Sequence, residues 1–194
     1  MLASVAFMID LFNMDNIRIL KDFGCKVDVA ANFQEGSITS QKRVDEFKNE
    51  LIGQNINVLD VLILRNIFQI SKIVQSYRMV KNLVEIRHYR IVHCHSPIGG
   101  VVARLACRTA RKPGTKVVYT GHGLHFFQGA PFVNCILFYP IERLCSRITD
   151  VLIAINQEDY FREKSWNTYR VEYVPSIGVD TDVFQNGVIG RLFE

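Results

Sequence analysis

Short apolar runs and helically spaced apolar positions take turns along this chain. The runs Leu2–Phe7, Lys26–Ala31, Asn57–Ile63, Arg90–His93, Lys116–Thr120, Asp150–Ile155 and Val171–Val174 predict strands. Several are continuous Val/Ile/Leu stretches without polar alternation, as expected of parallel strands covered on both faces. Helices are predicted between them, near 14–23, 39–50, 69–88, 98–111, 132–148 and 157–165. In the third, Ile70, Ile73, Val74, Tyr77, Val80 and Val84 recur at helical spacing. Gly24 stands where an αL residue would close the first. Strands alternating with helices imply right-handed βαβ crossovers and an α/β fold, a doubly wound, mainly parallel, Rossmann-like sheet.

Ligands of such sheets bind beyond the carboxyl ends of the strands, and the least ordinary residues follow two of the predicted strands. One loop runs through His93, Cys94, His95, Ser96, Pro97, Ile98, Gly99 and Gly100; the other through Gly121, His122, Gly123, Leu124, His125, Phe126 and Phe127. His93 and His95 project to one face of an extended segment, a spacing that metal ligands use; alternatively one of them packs in the sheet. The glycine pair opens a helix whose bare amides suit a phosphate or a sugar hydroxyl. His122, flanked by glycines, is open to a ligand's approach and titrates near neutral pH, as proton-handling side chains must. Phe126 and Phe127 supply an apolar wall. No GxGxxG, P-loop or GxSxG spacing occurs, which argues against a dinucleotide fingerprint, a phosphate-cradling loop and an α/β-hydrolase. A zinc hydrolase built on His93, His95, His122 and His125 stays as an alternative, although their own stretch supplies no carboxylate to support a metal.

Composition narrows the class. With 194 residues, 48% hydrophobic and 22% charged, the chain fills one core and is neither disordered nor fibrous. Five cysteines without a CxxC pair read as reduced thiols of a cytoplasmic protein. The apolar start meets Asp10 too soon for a secretory signal, and Val117–Ile141, though uncharged, holds two His, three Gly and two Pro, too many for a membrane span. The net charge of +4 conceals an acid-free interval, 86–141, that carries Arg87, Arg90, Arg104, Arg108, Arg111, Lys112 and Lys116, a formal +7 against −3 elsewhere. All five histidines fall inside it. Such a field draws anionic ligands or a lipid surface; no aromatic-basic module points to nucleic acid. The helix Phe132–Ile148 is assigned mostly to the core, its aromatic-rich start also suiting an interfacial contact.

Taken together, IVHCHSPIGGVVARLA, VVYTGHGLHFFQGAP, YPIERLCSRITDVLIAINQEDY and the closing VEYVPSIGVDTDVF resemble the N-terminal domain of family-4 glycosyltransferases, retaining enzymes of the GT-B fold, in particular their bacterial capsule and exopolysaccharide branch. The resemblance implies one half of a GT-B fold: 1–184 as an acceptor-binding domain, and 185–194 as a tail or truncated start of a donor-binding domain. It implies a nucleotide-sugar donor used as substrate, with no metal or other cofactor. The acceptor is lipid-linked or saccharide, anionic, and the enzyme is cytoplasmic, touching the inner membrane face peripherally. His122 matches the family's histidine beside the reacting sugar. The loop Met8–Asn13, with Met8 and Asp10, matches a segment that touches the acceptor, and His95, Ser96 and Gly99 match a second; His125 is placed with them. The family's glutamate pair with seven residues between is absent from the chain, and the first strand begins almost at Met1. By itself the chain is therefore expected to transfer sugar poorly or not at all, the other reading being a non-catalytic acceptor-binding module or remnant.

Overall fold

The computed structural model describes residues 1–34, 39–63, 69–166 and 168–175. Seven strands are all parallel: β1 (Leu2–Val5), β2 (Asp28–Asn32), β3 (Asn57–Asp60), β4 (Ile91–His95), β5 (Lys116–Gly121), β6 (Val151–Ala154) and β7 (Arg170–Tyr173). Their order is β3-β2-β1-β4-β5-β6-β7, so the chain reverses direction across the sheet between β1 and β4. The helices are α1 (Ala6–Phe12), α2 (Met14–Asp22), α3 (Gln41–Gly53), α4 (Ile70–Arg87), α5 (Pro97–Ala106), α6 (Phe132–Ser146) and α7 (Gln157–Glu163).

Two cores follow from this layering. One gathers Ala3, Ile9, Ile17, Val29, Phe47 and Leu51 beneath α1, α2 and α3. The other gathers Val80, Val102, Cys94, Tyr119, Phe126 and Leu152 beneath α4 and α5. Strands contribute to both, which is why their sequences lack polar alternation.

The expected and observed elements differ instructively. The first strand stops at Val5, and Ala6–Phe12, read partly as strand and partly as loop, is a helix burying Ala6, Phe7 and Ile9. An unbroken apolar run does not reveal where the period changes from two to 3.6. The third strand ends at Asp60 rather than Ile63, and the helix predicted over 98–111 ends at Ala106. β4 runs through His95, so the whole His-Cys-His segment is strand. The crossing segment beyond Pro175 and the division at 184/185 lie outside the described residues.

Candidate functional site

β1, β4 and β5 lie side by side and parallel, with Leu2 opposite Cys94 and His95 opposite Thr120, so their carboxyl ends share one edge of the sheet. The chain leaves β4 through Ser96, which holds φ 64, a left-handed conformation that strains a residue with a Cβ. Ser4 of β1 fixes that turn. Its amide donates to Ser96 Oγ at 3.0 Å, the two hydroxyls meet at 2.7 Å, and Ser4 Oγ accepts from the Gly99 amide at 3.1 Å. The Gly100 amide donates to Ser96 O at 2.7 Å. The amides expected to await a phosphate are thus engaged within the protein, and Ser96 and Gly99 are buried. The glycine pair serves close packing: a Cβ on Gly100 would stand 2.4 Å from Tyr119 Cε2, and one on Gly99 2.9 Å from Ser4 Oγ.

Three of the histidines adjoin. His93 Nε2 meets Thr120 Oγ1 at 2.8 Å, the His93 and His95 rings are 4.2 Å apart, and His95 Nδ1 meets His122 Nε2 at 3.2 Å. His95 is 1% exposed, whereas His122 is half-buried with Phe12 of α1 6.3 Å from its ring. Burial lowers all three pKa values: His93 to about 3, with the Met1 ammonium and then His122 adding, His95 well below the ordinary imidazole range, with His93, His122 and the Met1 ammonium adding, and His122 by burial alone. Neutral rings therefore line the site at pH 7. His125 stands apart, exposed and edge-on to Phe138 of α6 at 4.8 Å. Among the described residues no three His, Cys, Asp or Glu side chains are disposed to hold one metal ion, so the four histidines do not form the zinc cluster considered above.

Met8 and Asp10 lie on α1 rather than on a loop. Both Asp10 oxygens are held by Arg43 of α3, at 2.6 and 3.0 Å, and burial outweighs that guanidinium in raising the Asp10 pKa.

The His122 loop is clamped by the helix predicted over 157–165, whose side chains are not among the site residues expected from the sequence. Leu124 N donates to Asp159 Oδ2 at 3.0 Å, Gln128 N to Glu158 Oε1 at 2.8 Å, and Arg162 Nη1 to Phe126 O at 2.8 Å. These three side chains belong to α7, which Asn156 caps by accepting from the Asp159 amide. A capping residue followed by first-turn acids was the available signal.

The basic interval also proves to be less basic than its composition. Arg104 is fully buried, ion-paired with Glu142 at 2.8 Å and 4.0 Å from the Tyr119 ring centroid. Arg111 and Lys116 both pair with Asp150. Arg87, Arg90, Arg111 and Lys112 precede β4 or β5 in sequence and Lys116 opens β5, which puts them at the amino edge of the sheet, opposite His122. Glu142, Cys145 and Ser146 face inward on α6, with Cys135, Phe138 and Tyr139 packed partly against the core, but Phe132, Val133, Ile136, Leu137, Ile141 and Leu144 are exposed, Phe132 by 77% and Ile136 by 61%, where a core assignment was expected. No helix among the described residues is long and apolar enough to cross a membrane.

A profile of glycosyl transferase 4-like sequences matches residues 4–156. EpsD of Bacillus subtilis (strain 168), which carries the name of a glycosyltransferase, is 40% identical over 185 residues, or 94% of this chain and 44% of EpsD. The chain spans less than half the length of that relative. Among solved structures, MurG of Acinetobacter baumannii is similar with a TM-score of 0.52 and 14% identity, over 80% of this chain and 40% of MurG. Sucrose-phosphate synthase of Thermosynechococcus elongatus gives 0.57 and 13%, over 94% and 48%. A shorter form of that synthase is matched over 96% of its length. At such identities the likeness is one of fold, that of a Rossmann-like half of the GT-B architecture. With its family profile spanning β1 to β6, the chain belongs to the glycosyl transferase 4-like family.

Proposed function

We propose that this chain is the acceptor-binding half of a retaining glycosyltransferase of surface-polysaccharide synthesis, moving a sugar from a nucleotide-sugar donor to a lipid-linked or saccharide acceptor. One observation carries the reading: a half-buried, neutral imidazole, His122, stands just past β5 beside the β1/β4 reversal, where open α/β sheets bind ligands. A second Rossmann-like unit would hold the donor. In this reading the leaving diphosphate takes the acceptor proton without a metal ion, so the chain needs no strong base. Its tasks are to bind the acceptor along α1 and the His122 loop, and to exclude water from the reacting carbon. Without the donor unit, most stabilisation of the diphosphate is missing, and turnover should be negligible.

The exposed row on α6 supports peripheral contact with the inner face of a membrane: its apolar positions follow helical spacing, and Arg143 and Arg147 flank them. The cations at the amino edge lend no support to an anionic acceptor at the opposite edge. Titrating the chain with short-chain polyprenyl-diphosphate monosaccharides should shift the amide resonances of 121–128 and α1, whereas UDP-sugars should not. Unmoved resonances at 121–128 would refute acceptor binding here. For the membrane contact, Phe132→Ser with Ile136→Ser should reduce co-sedimentation with phosphatidylglycerol vesicles; equal sedimentation would remove it.

A further inference from the structure

His95 matched an acceptor-binding position, yet at 1% exposure it presents no atom to an acceptor. What it does touch is His122, with 3.2 Å between His95 Nδ1 and His122 Nε2. Resting on the reading of His122 given above, we propose that His95 is a positioning residue that locks His122 in its Nδ1-protonated neutral tautomer, so that His122 offers an N–H, not a lone pair, to the reacting sugar.

The number of protons on the two rings selects the tautomer. Both imidazoles are neutral at pH 7, because burial opposes their charging. Each ring then carries one proton, and the short contact requires one nitrogen to donate and the other to accept. His95 Nε2 is buried and has no hydrogen-bond partner among the described residues. If His95 accepted at Nδ1, its single proton would sit on Nε2 as a buried donor without an acceptor. If it donates from Nδ1, only a lone pair is left unmatched. Orphaned buried N–H groups are rarer than under-satisfied acceptors, so His95 donates and His122 accepts at Nε2. The His122 proton is then on Nδ1, which no other described residue engages. A neutral histidine side chain in water prefers Nε2–H, so the strand inverts the default.

The ring of His93 fixes His95 in turn. It lies 4.2 Å from the His95 ring and is anchored by its own contact with Thr120 Oγ1. A histidine's tautomer is set by what its other nitrogen meets, and here every partner is on a rigid strand.

Long-range 1H–15N correlation on the histidine-labelled chain at pH 7.5 reads each ring nitrogen directly. His122 should show a protonated Nδ1 and a bare Nε2, and His95 a protonated Nδ1. His95→Phe should move His122 towards Nε2–H, and His95→Asn, whose amide can donate from near the same place, should restore the native pattern. His122 protonated on Nε2 in the wild type would overturn the proposal, as would an unchanged His122 in folded His95→Phe. Should that variant fail to fold, the wild-type spectrum alone decides. In an enzyme carrying the donor unit, His95→Phe should lower kcat about 10-fold with acceptor KM within about twofold, and His95→Asn should recover most of the loss. Equal turnover of His95→Phe and wild type, where His122→Ala is impaired, would also overturn it. An intact tautomer pattern combined with undiminished turnover of His122→Ala would instead sink the functional reading of His122 and leave the lock standing.

Discussion

Glu163, in the last turn of α7, offers a titration that the fold itself must absorb. It is 0% exposed, and neither of its oxygens has a hydrogen-bond partner among the described residues. Burial first, then the nearby carboxylates of Asp159 and Glu142, push its pKa from 4.5 to about 8 against the pull of Arg104. In the unfolded chain the same group returns to its ordinary value. Folding between pH 4.5 and 8 therefore takes up a proton: the stability involved is fully present below pH 4.5 and is lost as pH rises towards 8. Each pH unit in that window costs the folded state about 1.4 kcal/mol, or about 3 kcal/mol by pH 7. Glu163→Gln keeps the shape and removes the titration. Wild type and variant should melt within about 1 kcal/mol of each other at pH 5, whereas at pH 7 the variant should gain about 3 kcal/mol, roughly 6–12 °C in Tm for a domain of this size. Circular-dichroism melts across pH 5–8 at constant ionic strength measure this. A Tm difference that does not change with pH would refute the reasoning.

Three further outcomes follow from particular contacts. Gly100→Ala drives a methyl into the buried Tyr119 ring and should cost about 1–3 kcal/mol in denaturant unfolding; an unchanged midpoint would show that α5 can shift. Asp159→Ala removes the acceptor of the Leu124 amide and should speed hydrogen exchange there by about 10-fold or more while β5 stays protected; equal exchange would mean the loop does not depend on α7. Below pH 6.5 the unfolded chain protonates His93 while the folded chain refuses the proton down to about pH 3, so stability should fall by about 1.4 kcal/mol per pH unit through this residue. His93→Asn should flatten that acid slope, and an unaltered slope would contradict the assignment.

What could be read from the sequence was whatever leaves a periodic or compositional trace. Parallel strands buried on both faces are continuous apolar runs, so the strands appeared almost in place, and Gly-His-Gly falls at the carboxyl end of β5, as its position in the sequence implies. The run through Val5, Ala6 and Phe7 is apolar in strand and helix alike, which hid α1 and made a loop of Met8 and Asp10. Charge along the chain says nothing about pairing in space. Arg104 meets Glu142, and Arg111 and Lys116 meet Asp150, only once the sheet is assembled, and that pairing empties the basic interval of three cations. His95 looked like a ligand residue because its spacing is that of ligands; its burial depends on the extra residues of β4.

Turnover of His122→Ala, in an enzyme that carries the donor-binding unit, tests the central claim most directly. Sugar transfer to a polyprenyl-diphosphate acceptor should fall about 100-fold or more in kcat, the loss expected when one hydrogen-bond donor to the transition state is removed, with acceptor affinity nearly unchanged. A kcat within about twofold of the wild type would contradict the assignment of this loop as the reacting edge of the sheet.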